Sequence, residues 1–139
     1  AGRPGFGFAD IEKAVRDAAL WGDVVFSGYV SDNDCANLYR DARALVFPSV
    51  YEGFGSIQNE CMSMGLPIVL SDIPTNREVS RDYGVFFELG DVDGLARALG
   101  EASGLRGSGR LSSLAGRYLA EFNWESVARV YLGTVGGER

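Results

Sequence analysis

Four short apolar runs punctuate the chain: "VVFSG" (Val24–Gly28), "ALVFPS" (Ala44–Ser49), "PIVLS" (Pro67–Ser71) and "GVFFE" (Gly84–Glu88). They are β-branched or aromatic, and the first three are nearly continuous rather than alternating. Runs of that kind fit strands of a parallel sheet covered on both faces. Helical patterns lie between them, and strand alternating with helix predicts an α/β domain with a doubly wound parallel sheet.

The helices have their own punctuation. Asp10 reads as a cap, with Ile11, Val15 and Ala18 on one face. Ser31 reads as the next, with Asp34 three residues on as in a loose capping box, and Cys35, Leu38, Tyr39 and Ala42 as the apolar stripe. A third helix is expected from Gly55 to Met64, stopped by Gly65 and Pro67. A shorter one is expected near Asn76–Arg81. Asp91 caps another, with Leu95, Ala98 and Leu99 inward. "GLRGSGR" (Gly104–Arg110) reads as a loop. Leu111, Leu114 and Tyr118 mark a further helix, and Asn123 caps the last, where Trp124 is either core or an anchor for another domain. The expected division is a sheet-bearing domain over residues 1–110, C-terminal helices over 111–132 and a flexible tail over 133–139.

Composition narrows the function. With 139 residues, 46% hydrophobic and 23% charged, the chain has the balance of a soluble globular domain. A net charge of −6 without a basic tract argues against nucleic-acid binding. Cys35 and Cys61 read as small buried hydrophobes, because no CxxC or histidine supports a metal site. The chain has 0 histidines, so its chemistry rests on carboxylates, backbone or residues it does not carry.

In a doubly wound sheet, ligands bind beyond the carboxyl ends of the strands. One such end is "VYEGFG", between "ALVFPS" and the third helix. Gly53 and Gly55 allow backbone angles closed to other residues and let a ligand approach the main chain. The first amides of the helix, at Gly55, Ser56 and Ile57, lack helical partners and carry the positive end of the dipole, which suits a phosphate. Glu52 precedes the glycines, and Glu60 follows eight positions later. A carboxylate accepts hydrogen bonds from two vicinal hydroxyls, as a ribose offers. Two acids flanking a phosphate-sized niche fit a nucleotide sugar. Phe54 is a packing wedge or a stacking platform.

With this turn in place, the chain resembles the carboxyl-terminal domain of glycosyltransferase family 4, retaining enzymes with two facing Rossmann-like domains (the GT-B fold). "VVFSGYVSDNDCANLYRDARALVFPSVYEGFGSIQNECMSMGLPIVLSDIPTNREV", "GVFFELGDVDGLARAL" and "FNWESVARVY" carry the likeness, and the E-x7-E pattern from Glu52 to Glu60 is its specific part. The resemblance implies transfer of a sugar from a nucleotide-diphosphate sugar to the hydroxyl of an acceptor glycan or lipid, with retention. By that likeness Glu52 is the catalytic-centre residue, nucleophile or positioner, with positioning favoured. Gly53, Phe54, Gly55, Ser56 and Ile57 hold the sugar and distal phosphate, and Glu60 the ribose. Gly28, Tyr29 and Val30 line the base pocket. No metal or other cofactor is implied. The implied place is the cytoplasm, with the membrane's cytoplasmic face left open.

Two departures matter. "SIQN" replaces a more apolar run, so Gln58 and Asn59 are expected to face solvent or donor. The chain also begins with Ala1 and resembles the family's domain from after its second strand. The expectation is a fragment, with the first two strands and the acceptor-binding N-terminal domain missing, and inactive alone. The last three runs are then expected to form one small parallel sheet, with Val24–Gly28 displaced, detached or re-paired. The alternative function is a non-catalytic nucleotide-binding or docking module. A sugar-nucleotide epimerase or a phosphorylase of the same two-domain plan is a third alternative, the phosphorylase disfavoured because Lys13, the sole lysine, lies in the first helix.

Overall fold

The computed structural model describes residues 2–121 and 123–135. The chain divides into two compact units, Ala1–Leu38 and Tyr39–Arg139. In chain order the elements are α1 (Phe8–Asp17), α2 (Asp32–Asp41), β1 (Leu45–Phe47), α3 (Ser56–Ser63), β2 (Ile68–Ser71) and α4 (Pro74–Ser80). A 3-10 turn (Arg81–Tyr83), β3 (Gly84–Phe87), α5 (Val92–Leu105), α6 (Gly109–Glu121) and α7 (Trp124–Val135) follow. This is the expected α/β architecture: a small parallel sheet with flanking helices.

The sheet has order β1-β2-β3 and is parallel throughout. Leu45 pairs with Ile68 and Ile68 with Gly84, so the strands run in step. β2 is central and all four of its residues are buried. Side chains alternate across a strand, and here both faces meet a core. Ile68 and Leu70 pack with Cys61, Met62, Tyr83, Leu111, Leu114 and Tyr118. Val69 packs with Val85, Phe87, Ala98 and Ala102. That two-sided burial is why the run is apolar at consecutive positions. Tyr83 lies within the first cluster, where its hydroxyl donates to the Leu66 carbonyl at 3.0 Å. Burial pushes that hydroxyl's pKa well above its ordinary value.

Val24–Gly28 joins no ladder among the described residues. Of the outcomes expected for it the run is detached from the sheet's ladder, and its reading as a parallel-sheet strand is corrected. Within the first unit Phe26 instead packs edge-on against Phe8, ring centroids 5.1 Å apart, and beside Trp21.

Several caps stand as read. Ser31 Oγ accepts the Asp34 N–H at 3.2 Å and donates to its carboxylate at 2.7 Å. Asp91 Oδ1 accepts from the Gly94 N–H at 2.8 Å, and Asn123 Oδ1 from the Ser126 N–H at 2.8 Å. Others shift. α1 is capped by Gly7 at φ 77°, leaving Asp10 in the first turn, where it still meets the positive dipole end. Ile11 is exposed, because the small first unit has little chain to cover it. α4 starts at Pro74, whose fixed φ suits a first helical turn. Leu99 is exposed, because the inward stripe of α5 runs through Ala98 and Ala102. The expected loop at Gly104–Arg110 shrinks to residues 106–108. Trp124 is 88% exposed, so it is not core. Residues 133–135 continue α7, and 136–139 lie outside the described residues.

Hydrogen exchange separates these two kinds of apolar run. Amides of Ile68–Leu70 are expected to open only with global unfolding, and those of Val24–Gly28 orders of magnitude faster. Uniformly strong protection at Val24–Gly28 would show that the run is held in a ladder.

Candidate functional site

β1 ends at Phe47, and α3 begins at Ser56. The intervening turn lies beyond the carboxyl end of a parallel strand, where this class of sheet opens to ligands. Val50 and Tyr51 are exposed, Glu52 is half-buried, Gly53 is exposed and Phe54 is about half exposed. Gly55 caps α3 at φ 73°, ψ 58°, in the left-handed region that side chains disfavour. A β-carbon there would stand 2.4 Å from Gln58 Nε2. Gly55 is thus required twice, by its angle and by close approach.

α3 then presents two faces. Gln58, Cys61 and Met62 are buried, while Glu60 is exposed. Ile57 is half-buried and packs on the core, so its side chain serves the fold while its amide belongs to the helix mouth. The N–H groups of Ser56 and Ile57 have no acceptor within an α-helix that starts here. The Gln58 N–H is taken by the Gly55 carbonyl at 2.9 Å. Glu60 Oε2 accepts a hydrogen bond from Tyr39 Oη at 3.1 Å. The Glu52 carbonyl accepts from Thr75 Oγ1 at 3.1 Å.

Seven of the residues singled out in the sequence, Glu52 to Ile57 and Glu60, thus share one turn and the first two turns of one helix in the second unit. Gly28, Tyr29 and Val30 belong to the first unit. There Gly28 adopts φ 65°, and Arg3 lies over the Tyr29 ring at 5.5 Å. A hollow of about 270 Å³ beside Gly28 is lined by Arg3, Phe8, Val25 and Phe26 among others.

Residues 4–103 match the family described as "Glycosyl transferases group 1". The chain belongs to that family. Over 86 residues it is 40% identical to O-antigen chain mannosyltransferase B of Escherichia coli, covering 62% of this chain and 22% of that protein. Over 69 residues it is 42% identical to O-antigen chain mannosyltransferase RfbU of Salmonella typhimurium, covering 50% and 20%. Glycogen synthase of Mycobacterium tuberculosis is 32% identical over 122 residues, covering 82% and 30%. The chain therefore spans about a fifth of the length of the first two relatives.

Two features of this group 1 domain were not read in the sequence. Gln58 does not face solvent or donor; it is fully buried. Tyr39 packs on the core, as its place in the apolar stripe predicts, and also reaches Glu60 with its hydroxyl. Sequence held a signal for the first. Gln58 stands three and four residues before Cys61 and Met62, on the face that helical periodicity buries, and a polar side chain there needs partners. The second joins residues 21 apart and had no local signal.

At the far side of the same strand ends, Asp72 takes both forks of Arg77, at 2.7 and 2.6 Å. That bond holds the Asp72 carboxyl below its ordinary value of 3.8. Its stabilisation is present above that value and lost as pH falls through the lower folded one. Carboxyl-carbon NMR is expected to show Asp72 titrating below Asp72 in the Arg77→Gln variant.

Gly55→Ala is expected to destabilise the domain by about 1–3 kcal/mol, since a left-handed residue gains a side chain against a buried, bonded amide. Urea denaturation measures it. A change within error would mean that the turn can relax without cost.

Proposed function

We propose that this domain is the donor-binding part of a retaining glycosyltransferase of family 4, moving a hexose from a nucleotide-diphosphate sugar to an acceptor hydroxyl. One observation carries the reading. Glu52 and Glu60 bracket a glycine turn that opens a helix at the ligand edge of a parallel sheet, in a chain of the group 1 glycosyltransferase family.

The roles follow from chemistry. The departing diphosphate gathers negative charge as the sugar becomes oxocarbenium-like. Amides at Gly53–Ile57 and the positive end of α3 stabilise that charge where it develops. An exposed helix end contributes only ~0.3–1 kcal/mol, so further cations complete the site. Glu52 positions the donor sugar near the reacting carbon. Glu60 accepts from the ribose hydroxyls, with Tyr39 orienting its other oxygen. Gly28, Tyr29 and Val30 contact the base. No metal is needed in this scheme.

In this reading the acceptor site comes from a second domain of a longer enzyme, and the cations for the diphosphate come from residues of that enzyme outside this chain. The acceptor in this reading is a glycan or a lipid, and two relatives are named as O-antigen chain mannosyltransferases. In this reading the enzyme works in the cytoplasm or at the cytoplasmic face of a membrane. Among the described residues no helix is long and apolar enough to cross a membrane.

Titration calorimetry with a panel of UDP-, GDP- and ADP-sugars tests the reading. One donor is expected to bind, and Glu60→Ala to weaken it about tenfold to a hundredfold, the worth of a charge-assisted pair. No transfer is expected from the domain alone. An unchanged affinity in Glu60→Ala would favour a nucleotide-binding module with solvated acids, and turnover by the domain alone would contradict the need for a second domain.

A further inference from the structure

Gln58, Ser71, Asn76 and Ser80 are all fully buried. Buried polar groups are costly unless bonded, and these four are bonded to one another in a single chain. Ser80 Oγ donates to Gln58 Oε1. Gln58 Nε2 donates to Asn76 Oδ1 at 2.8 Å. Asn76 Nδ2 donates to the Ser71 carbonyl at 2.9 Å and to Ser71 Oγ at 3.2 Å. Ser71 Oγ donates in turn to the Ser49 carbonyl.

The direction of this chain is forced. The carbonyls of Ser71 and Ser49 can only accept. Asn76 must therefore turn its NH2 to Ser71 and its oxygen to Gln58. Gln58 must answer with its own NH2, leaving its oxygen for Ser80. Reversing either amide, or both, sets two oxygens face to face.

The chain meets both ends of the glycine turn. Ser49 is where the turn begins, and Gln58 lies in the first turn of α3, just past Gly55. Between them, Thr75 Oγ1 holds the Glu52 carbonyl. One segment, from Ser71 through α4, thus grips the turn at its start, middle and end. The gripped stretch contains Gly53 and Gly55, whose backbones are the least self-determined.

We infer that Asn76 is a positioning residue of the donor site. It touches no ligand. Through Ser71 and Gln58 it sets the spacing between the two ends of the turn, and so where Glu52 and the α3 amides stand. The inference rests on the donor-site reading for its functional consequence.

The paired variant Gln58→Met/Asn76→Leu, made together with Ser80→Ala so that no buried hydroxyl is left without Gln58, tests it. Replacing both partners by apolar groups of similar shape is nearly neutral for folding. The Ser71 carbonyl keeps the Ile73 N–H at 2.9 Å. The urea midpoint is expected to stay within about 0.5 M of the parent. Backbone 15N order parameters at Gly53, Phe54 and Gly55 are expected to fall from about 0.85 to below about 0.6. Affinity for whichever UDP-, GDP- or ADP-sugar binds the parent is expected to fall about tenfold. A folded variant with parental order parameters overturns the inference. Should the pair unfold, Thr75→Val removes the middle grip alone, and order parameters at Glu52 and Gly53 then decide in the same way. A parent that binds none of the nucleotide sugars sinks the donor reading, while the relaxation data still decide whether Asn76 holds the turn.

Discussion

Burial of β2 on both faces is the constraint on which the rest of the second unit depends. Four consecutive residues without solvent contact demand cover above and below. α3 and α6 supply one layer, through Cys61, Met62, Leu111 and Leu114, and α5 the other, through Ala98 and Ala102. A strand so enclosed can open only with global unfolding. It is therefore a fixed reference from which the adjoining turns are hung, and a site built on its carboxyl edge inherits that rigidity.

The same strand ends in a serine rather than a further aliphatic residue, and this turns packing into function. Ser71 is the point where the hydrophobic core hands over to a polar one. Its hydroxyl and carbonyl anchor Asn76 and Ser49, and Asn76 anchors Gln58. Hydrogen bonds are directional where apolar contacts are not, so this small network specifies one arrangement of the glycine turn among the many its two glycines permit. In the proposed function the glycines let the backbone meet a phosphate, and the buried amides remove the freedom that would blur that meeting. That reading gives the network a use, because the proposed transfer depends on where charge is stabilised as the diphosphate leaves.

Much of this was legible in the residues. Consecutive apolar positions gave β2, since a parallel strand buried on two faces leaves that trace, and shorter apolar runs gave β1 and β3, which are only partly buried. Asp91 and Asn123 were readable as caps because their side chains bond within three residues. The turn from Glu52 to Gly55 was readable because glycine has few other uses beside a strand end. What escaped was non-local. Val24–Gly28 has the composition of a strand, but pairing is decided by neighbours. Gln58 looked solvent-facing because its partners, Asn76 and Ser80, come from the next helix, 18 and 22 residues on. Leu99 looked inward, but an apolar side chain is buried only where another element lies against it.

Shift mapping by two-dimensional 1H–15N NMR, with the donor nucleoside diphosphate added to the labelled domain, tests the central claim most directly. The account predicts that the largest amide shifts fall on Gly53, Gly55, Ser56 and Ile57, with a second group around Glu60 and Tyr39. Shifts that leave those amides still and gather elsewhere, for example along Glu88 to Arg97, would contradict it.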